Sequence, residues 1–111
     1  MKIMRQGDLL FREIKYIPED AKPFENKEKN RVVFAYGEVT GHAHAVYEKQ
    51  VKHMDVFQQA NRLWDFFVRV NEEVEVKHEE HEKITLDKGN WEIIRQREYN
   101  YFTQSEERVK D

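Results

Sequence analysis

The stretch Leu63-Trp64-Asp65-Phe66-Phe67-Val68-Arg69-Val70 sets the expectation for the fold. Every second residue from Trp64 to Val70 is apolar, and Asp65 and Arg69 lie between them. This two-residue period is typical of a β-strand with one buried face. The apolar segment 53–57 precedes it across the polar residues 58–61. The two segments therefore predict a β-hairpin, with a short helix as the alternative for the first segment.

Other segments on both sides of this hairpin also have strand character. They are residues 9–16, 32–36, 42–48, 74–78, 84–86 and 91–99. The continuous apolar run 32–36 predicts a strand that is covered on both faces and lies at the centre of the sheet. We therefore expect an all-β, mainly antiparallel fold, a small single domain over residues 1–111 built as a β-barrel or β-sandwich.

Two polar segments are expected outside the sheet. Residues 18–30 contain both prolines and many charged or amide side chains, which predicts a solvated loop. Residues 104–111 are highly charged, which predicts a C-terminal tail that frays or forms a short exposed helix.

The composition excludes several classes of protein. A formal net charge of −3 argues against a broad basic surface for duplex nucleic acid. No segment has the length of a signal peptide's apolar core or of a membrane-spanning helix, so we expect a cytoplasmic protein with no membrane partner. Because the chain has no cysteine, any metal must be held by imidazole and carboxylate groups.

Two pairs of histidines form the candidate metal site. His42 and His44 are two residues apart, so on a strand both imidazoles point to one face. His78 and His81 are three residues apart, a spacing that suits a helical turn or a tight loop. If the pairs meet in space, they would hold a divalent ion, with zinc favoured and manganese, iron or nickel as alternatives. As exposed or hydrogen-bonded side chains, they would have no such role.

Acidic residues near these histidines are candidates for ligands and for catalysis. Glu48, Glu79 and Glu80 could each add an oxygen ligand. Glu79 and Glu80 could also act as a general base beside a metal-activated water, which would make hydrolysis feasible. The alternative is that both are solvated loop acids. The order His-Glu-Glu-His lacks the spacing of the H-E-x-x-H motif, so a peptidase is not indicated.

The predicted last strand carries a possible anion-binding surface. On one of its faces the apolar residues give way to Arg95, Arg97 and Tyr99. Arginines bind phosphate or carboxylate through forked hydrogen bonds, and a tyrosine stacks on bases. These residues are candidates for binding a nucleotide or single-stranded nucleic acid. The alternative is that the arginines pair with local glutamates on a solvated face of the sheet.

Several blocks resemble a family of small uncharacterised proteins from phages and bacteria. The blocks are residues 5–8 (RQGD), 37–44 (GEVTGHAH), 78–81 (HEEH), 86–89 (LDKG) and 95–99 (RQREY). The resemblance implies a phage or bacterial setting and brings no established activity with it. The spacing His42-x-His44-x-x-x-Glu48 is also similar to the first metal motif of cupins, which implies a metal in a β-barrel mouth. The later histidine of that family follows a Pro-x-Gly turn, whereas here both later histidines precede Gly89.

These observations lead to competing hypotheses. The first is a metal-binding β domain that hydrolyses or captures a phosphate-bearing ligand, with a phosphodiester as the sharpest case. The second is a non-catalytic protein-interaction module of phage or bacterial origin with structural histidines. The third is a closed, purely structural metal site. Homo-oligomerisation, with ligands from two chains, is left open.

Overall fold

The computed structural model describes residues 1–25, 28, 30–37 and 41–96, together with the backbone of 104–105 and 107–108. Ten strands belong to the folded body: β1 Ile3–Gln6, β2 Leu9–Ile14, β3 Lys22–Pro23, β4 Arg31–Tyr36, β5 Ala43–Tyr47, β6 Met54–Gln59, β7 Arg62–Val70, β8 Val74–Val76, β9 Ile84–Leu86 and β10 Gly89–Arg95. A 3-10 helix spans Glu48–His53 between β5 and β6. In the tail, β11 Gln104–Ser105 pairs with β12 Glu107–Arg108.

A six-stranded antiparallel sheet forms the larger layer of the molecule, in the order β1-β2-β10-β7-β6-β3. The predicted hairpin is its β6–β7 pair, in which Val56 lies opposite Val68. β10 lies between β2 and β7, so chain segments from both ends of the sequence meet at the middle of the sheet. The register places Phe11 opposite Ile93 and Trp91 opposite Val68, which puts these side chains on one face.

The smaller layer contains the pairs β4–β5 and β8–β9. A bridge between Ala45 and Lys77 joins the two pairs through reciprocal backbone hydrogen bonds of 3.0 and 2.8 Å. Both layers contribute to one apolar core. Its buried members are Leu9, Phe11, Val32, Phe34, Ala35, Val46, Met54, Phe66, Val68, Val70, Val74, Val76, Leu86, Trp91 and Ile93.

The expected all-β, mainly antiparallel fold is confirmed, although its strands do not close into a barrel. The placement of residues 32–36 at the centre of the sheet is wrong, because β4 pairs only with β5 in the described part of the chain. A register shift between Val33 and Ala35 leaves the neighbours Phe34 and Ala35 both buried. The apolar run 32–36 is therefore explained by a β-bulge, which breaks the two-residue alternation of buried and exposed side chains, and it does not indicate a central strand.

The remaining local predictions have mixed outcomes. The segment that begins at His53 is a strand only from Met54, because His53 ends the 3-10 helix. The loop at 18–30 includes the two-residue strand β3, which pairs with β6. The four described tail residues are extended, so they do not form the alternative helix. Arg97 and Tyr99 lie outside the described residues.

Candidate metal centre

Four histidines from two chain segments come together at one end of the smaller layer. The Ala45–Lys77 bridge is antiparallel, so His44 lies opposite His78, one residue further along. The same register brings Ala43 next to Glu79, whose Oε1 accepts a hydrogen bond of 2.8 Å from the Ala43 N–H. This one bridge therefore joins the His42-x-His44 segment to the segment that carries His78 and His81.

Four pairs of imidazole rings in this group lie close together. The ring-centroid distances are 4.3 Å for His44–His78, 4.7 Å for His78–His81, 5.8 Å for His42–His78 and 6.2 Å for His44–His81. His44 is buried, His42 and His78 are half-buried and His81 is exposed. The four-histidine cluster therefore extends from the protein interior to the solvent.

His44 is held by a hydrogen-bonded glutamine. Its Nδ1 lies 2.9 Å from Gln6 Oε1, and Gln6 Nε2 donates to the carbonyl oxygens of Val76 and Glu82, both at 2.9 Å. Because the amide nitrogen is fixed by two acceptors, Oε1 must accept, and His44 Nδ1 must carry the proton. The Nε2 of a neutral His44 then has a free lone pair.

The electrostatic surroundings keep His44 uncharged. Burial is the main cause that lowers its pKa to about 4, and the neighbouring His78 acts in the same direction. The Asp8 carboxylate opposes this shift, because its Oδ1 lies 3.4 Å from His44 Nε2. A neutral imidazole is the form that binds metal ions.

The outer part of the cluster combines imidazoles with carboxylates. Each of His42, His78 and Glu79 offers one ligand atom, and the three atoms lie within 4.8 Å of one another; His44, His81 and Glu80 fall outside this set of three. His42 Nδ1 is buried and has no hydrogen-bond partner among the described residues, while Glu80 Oε2 lies 3.6 Å from it. The pKa of Glu79 is lowered, mainly by the N–H of Ala43 and then by its own N–H. His78 Nδ1 accepts a bond of 3.0 Å from the Glu80 N–H, so a metal would have to replace this bond or bind through the other nitrogen.

Two glycines line the cluster where a side chain would collide with it. A Cβ on Gly7 would lie 2.8 Å from His81 Nε2 and 3.2 Å from His44 Cε1. A Cβ on Gly37 would lie 3.1 Å from His42 Cβ and 3.2 Å from His78 Nε2. The backbone therefore approaches the imidazoles closely from two sides, and at Gly7 the positive φ of 58° also favours glycine.

The remaining candidates Arg95 and Glu48, and the fifth histidine, His53, have different surroundings. Arg95 Nε donates to Asp8 Oδ2 at 3.2 Å, so its guanidinium is paired with an acid, although with an aspartate and not with a glutamate. Glu48 is exposed at the start of the 3-10 helix with a φ of 49° and is not part of the clustered ligand set. His53 lies outside the four-histidine cluster, and its Nε2 is 3.7 Å from Glu72 Oε2.

Sequence reasoning missed Gln6, Asp8 and the two glycines as parts of this centre. The sequence of residues 6–8 indicated only a turn, and Gly7 and Asp8 form that turn between β1 and β2. A turn with one amide and one carboxylate beside a glycine gives no sign of which distant side chains it will contact. The RQGD block of the family resemblance was the one available signal.

Fold and cluster together define a class: small antiparallel β proteins with a histidine-rich centre at one end of a two-layer structure. The chain belongs to the family described as "Domain of unknown function (DUF8820)", whose model matches residues 5–96. This agrees with the expected uncharacterised family and does not test the individual sequence blocks. No curated protein and no solved structure matches the chain. No helix in the described ranges is long and apolar enough to span a membrane, and cytoplasmic residence stays a prediction.

Proposed function

We propose that this protein binds a divalent metal ion in the four-histidine cluster, with zinc favoured over manganese, iron and nickel. The observation that carries the proposal is the convergence of four imidazoles from two segments, which are 34 residues apart between His44 and His78. Each ring lies within 4.3 to 6.2 Å, centroid to centroid, of at least one ring from the other segment. Imidazole nitrogen with carboxylate oxygen is a donor set that zinc accepts readily.

Two buried nitrogens support a ligand role over a purely structural one. A buried imidazole that serves only packing is expected to use both ring nitrogens in hydrogen bonds. His42 Nδ1 has no such partner in the described chain, a feature that it shares with His53 Nδ1 outside the cluster. What distinguishes the cluster is that His44 Nε2 also directs a lone pair towards a carboxylate. A cation would accept the lone pairs of these nitrogens and would also attract the carboxylate that faces His44 Nε2. Glu79, with its lowered pKa, would add a charged oxygen ligand.

Metal analysis of untagged protein tests this proposal. We expect about one equivalent of metal in the wild type and a near-complete loss in His42→Ala, because removal of one ligand of a small shell leaves too few donors. The measurement is inductively coupled plasma mass spectrometry, followed by zinc titration of the chelator-treated protein.

His53→Ala is the matched control, because it also removes one half-buried imidazole with an unpartnered Nδ1 but lies outside the cluster. It should bind zinc as the wild type does. Absence of metal from the wild type, and failure to bind added zinc, would contradict the proposal and favour the non-catalytic interaction module.

Hydrolysis of a phosphodiester is a second candidate, favoured by the exposed Glu80 carboxylate 3.6 Å from His42 Nδ1. A bound ion would provide Lewis acidity at the ligand's phosphate. Glu80 would accept a proton from the attacking water as the water oxygen forms a bond to phosphorus. Glu80 would return that proton to the departing oxygen as the bond between this oxygen and phosphorus breaks. Arg95 could keep its Nε bond to Asp8 and contact the phosphate through its Nη donors.

The Glu80→Gln variant tests the catalytic role. We expect zinc-loaded wild type to cleave an activated phosphodiester and Glu80→Gln to be slower by about 100-fold or more, the lower end for loss of a general base. Glu82→Gln, an exposed neighbour, should keep the wild-type rate. Equal rates for both variants would exclude Glu80 as the base, and a wild type that binds zinc without turnover would favour a structural or binding role.

A further inference from the structure

The turn between β1 and β2 is packed directly against the four-histidine cluster. Gly7 lies at the tip with a φ of 58°, in the left-handed region, and a Cβ at this position would enter the space beside His81 Nε2 and His44 Cε1. The two residues that flank Gly7 are both polar, and both contact His44. The turn thus forms one wall of the cluster.

Gln6 controls which nitrogen of His44 is available. Gln6 is 2% exposed, and its amide group is fully engaged, since the nitrogen donates to two backbone carbonyls and the oxygen faces His44 Nδ1. If the amide were flipped, its oxygen would face the carbonyl oxygens of Val76 and Glu82, and both hydrogen bonds would be lost. Gln6 therefore selects the tautomer of His44 with the proton on Nδ1, which is the arrangement of a metal-bound histidine with an outer-shell partner.

Asp8 faces the nitrogen that this tautomer leaves free. Its Oδ1 lies 3.4 Å from His44 Nε2 and its Oδ2 lies 3.2 Å from Arg95 Nε. The Asp8 backbone is anchored as well, because its carbonyl oxygen accepts a bond of 2.8 Å from the Gln96 N–H. A carboxylate oxygen and an imidazole lone pair repel each other unless a positive charge lies between them. A divalent cation at this point would be attracted by both groups.

We propose that Gln6 and Asp8 complete the metal centre, Asp8 as an oxygen ligand beside His44 Nε2 and Gln6 as the positioning residue that holds His44 in the required tautomer. This inference rests on the proposed function and adds two residues to it. Zinc would then have a mixed nitrogen and oxygen shell built from three parts of the chain. Its binding would draw Asp8 Oδ1 towards the cluster while Oδ2 keeps Arg95 nearby.

The role of Gln6 is tested without any metal. In metal-free wild type, long-range ¹H–¹⁵N NMR of the histidine rings should show His44 protonated at Nδ1 and unprotonated at Nε2. Gln6→Met should lose this preference, because the thioether offers no comparable acceptor. A wild-type His44 protonated at Nε2, or a Gln6→Met spectrum like that of the wild type, would overturn the role of Gln6.

The role of Asp8 is tested by zinc titration of the same proteins. We expect Gln6→Met to weaken zinc binding by about 10- to 100-fold, the range for outer-shell partners, and Asp8→Asn to weaken it at least as much. Asp87→Asn is the matched control, since it removes an exposed carboxylate paired with Lys2 and should bind zinc as the wild type does.

The outcomes separate this inference from the proposed function. If wild type binds zinc and Asp8→Asn binds it equally well, Asp8 is not a ligand, although the histidine centre stands. If wild type binds no zinc, the proposed function fails, and the ligand role of Asp8 fails with it. The NMR comparison decides the role of Gln6 in either case.

Discussion

The His44→Ala variant should lose its metal and, in chelator, about 2 to 3 kcal/mol of unfolding free energy. His44 is 2% exposed and is the hydrogen-bond partner of Gln6 Oε1. Its removal leaves a buried amide oxygen unpaired, which costs about 1 to 3 kcal/mol, and also leaves a cavity. Urea unfolding in the presence of chelator measures the stability, and zinc titration measures the ligand role.

His81→Ala separates the two effects of the first variant. His81 is the exposed member of the cluster, so its removal should weaken zinc binding with little change of stability in chelator. An unchanged stability of His44→Ala would contradict the buried Gln6–His44 contact. Unchanged zinc binding by His44→Ala would remove His44 from the ligand set, whatever the stability.

The sequence pattern was sufficient to predict those elements whose contacts are local. The β6–β7 hairpin follows from the alternation of 63–70 and a short polar connection, because both depend only on neighbouring residues. β1 was missed because its four residues, IMRQ, alternate weakly and are only partly buried. The place of β10 between β2 and β7 depends on pairing between distant segments, which no local period encodes.

The candidate site also has a part that the sequence predicts and a part that depends on long-range pairing. The histidine pairs could be named from their spacing, and the sequence could not show that they meet, because a single Ala45–Lys77 bridge sets the register between them. Gln6 and Asp8 were invisible as site residues because their contacts to His44 span 38 and 36 positions of the chain. Long-range register therefore limits sequence reasoning about both the fold and the site.

The Trp91→Ala variant should lose about 3 to 5 kcal/mol of unfolding free energy, the range for deletion of a large buried side chain. Trp91 has no exposed surface, lies opposite Val68 in the middle of the large sheet and belongs to the core shared by both layers. Its Nε1 also donates to the Asp87 carbonyl oxygen at 2.9 Å, so the substitution removes one hydrogen bond. Because small domains are stable by only about 5 to 15 kcal/mol in total, the variant should be close to unfolding at room temperature.

Urea unfolding followed by circular dichroism gives this loss, and two further variants identify its cause. Leu63→Ala removes a large apolar side chain that is 64% exposed on the neighbouring strand β7, and should change stability by no more than about 0.5 kcal/mol. Trp91→Phe keeps most of the buried volume and loses the bond to Asp87, so its loss should be well below that of Trp91→Ala. A loss in Trp91→Ala no larger than in Leu63→Ala would mean that the two layers do not share a core at Trp91. The packing of the histidine-bearing layer on the large sheet would then need another origin.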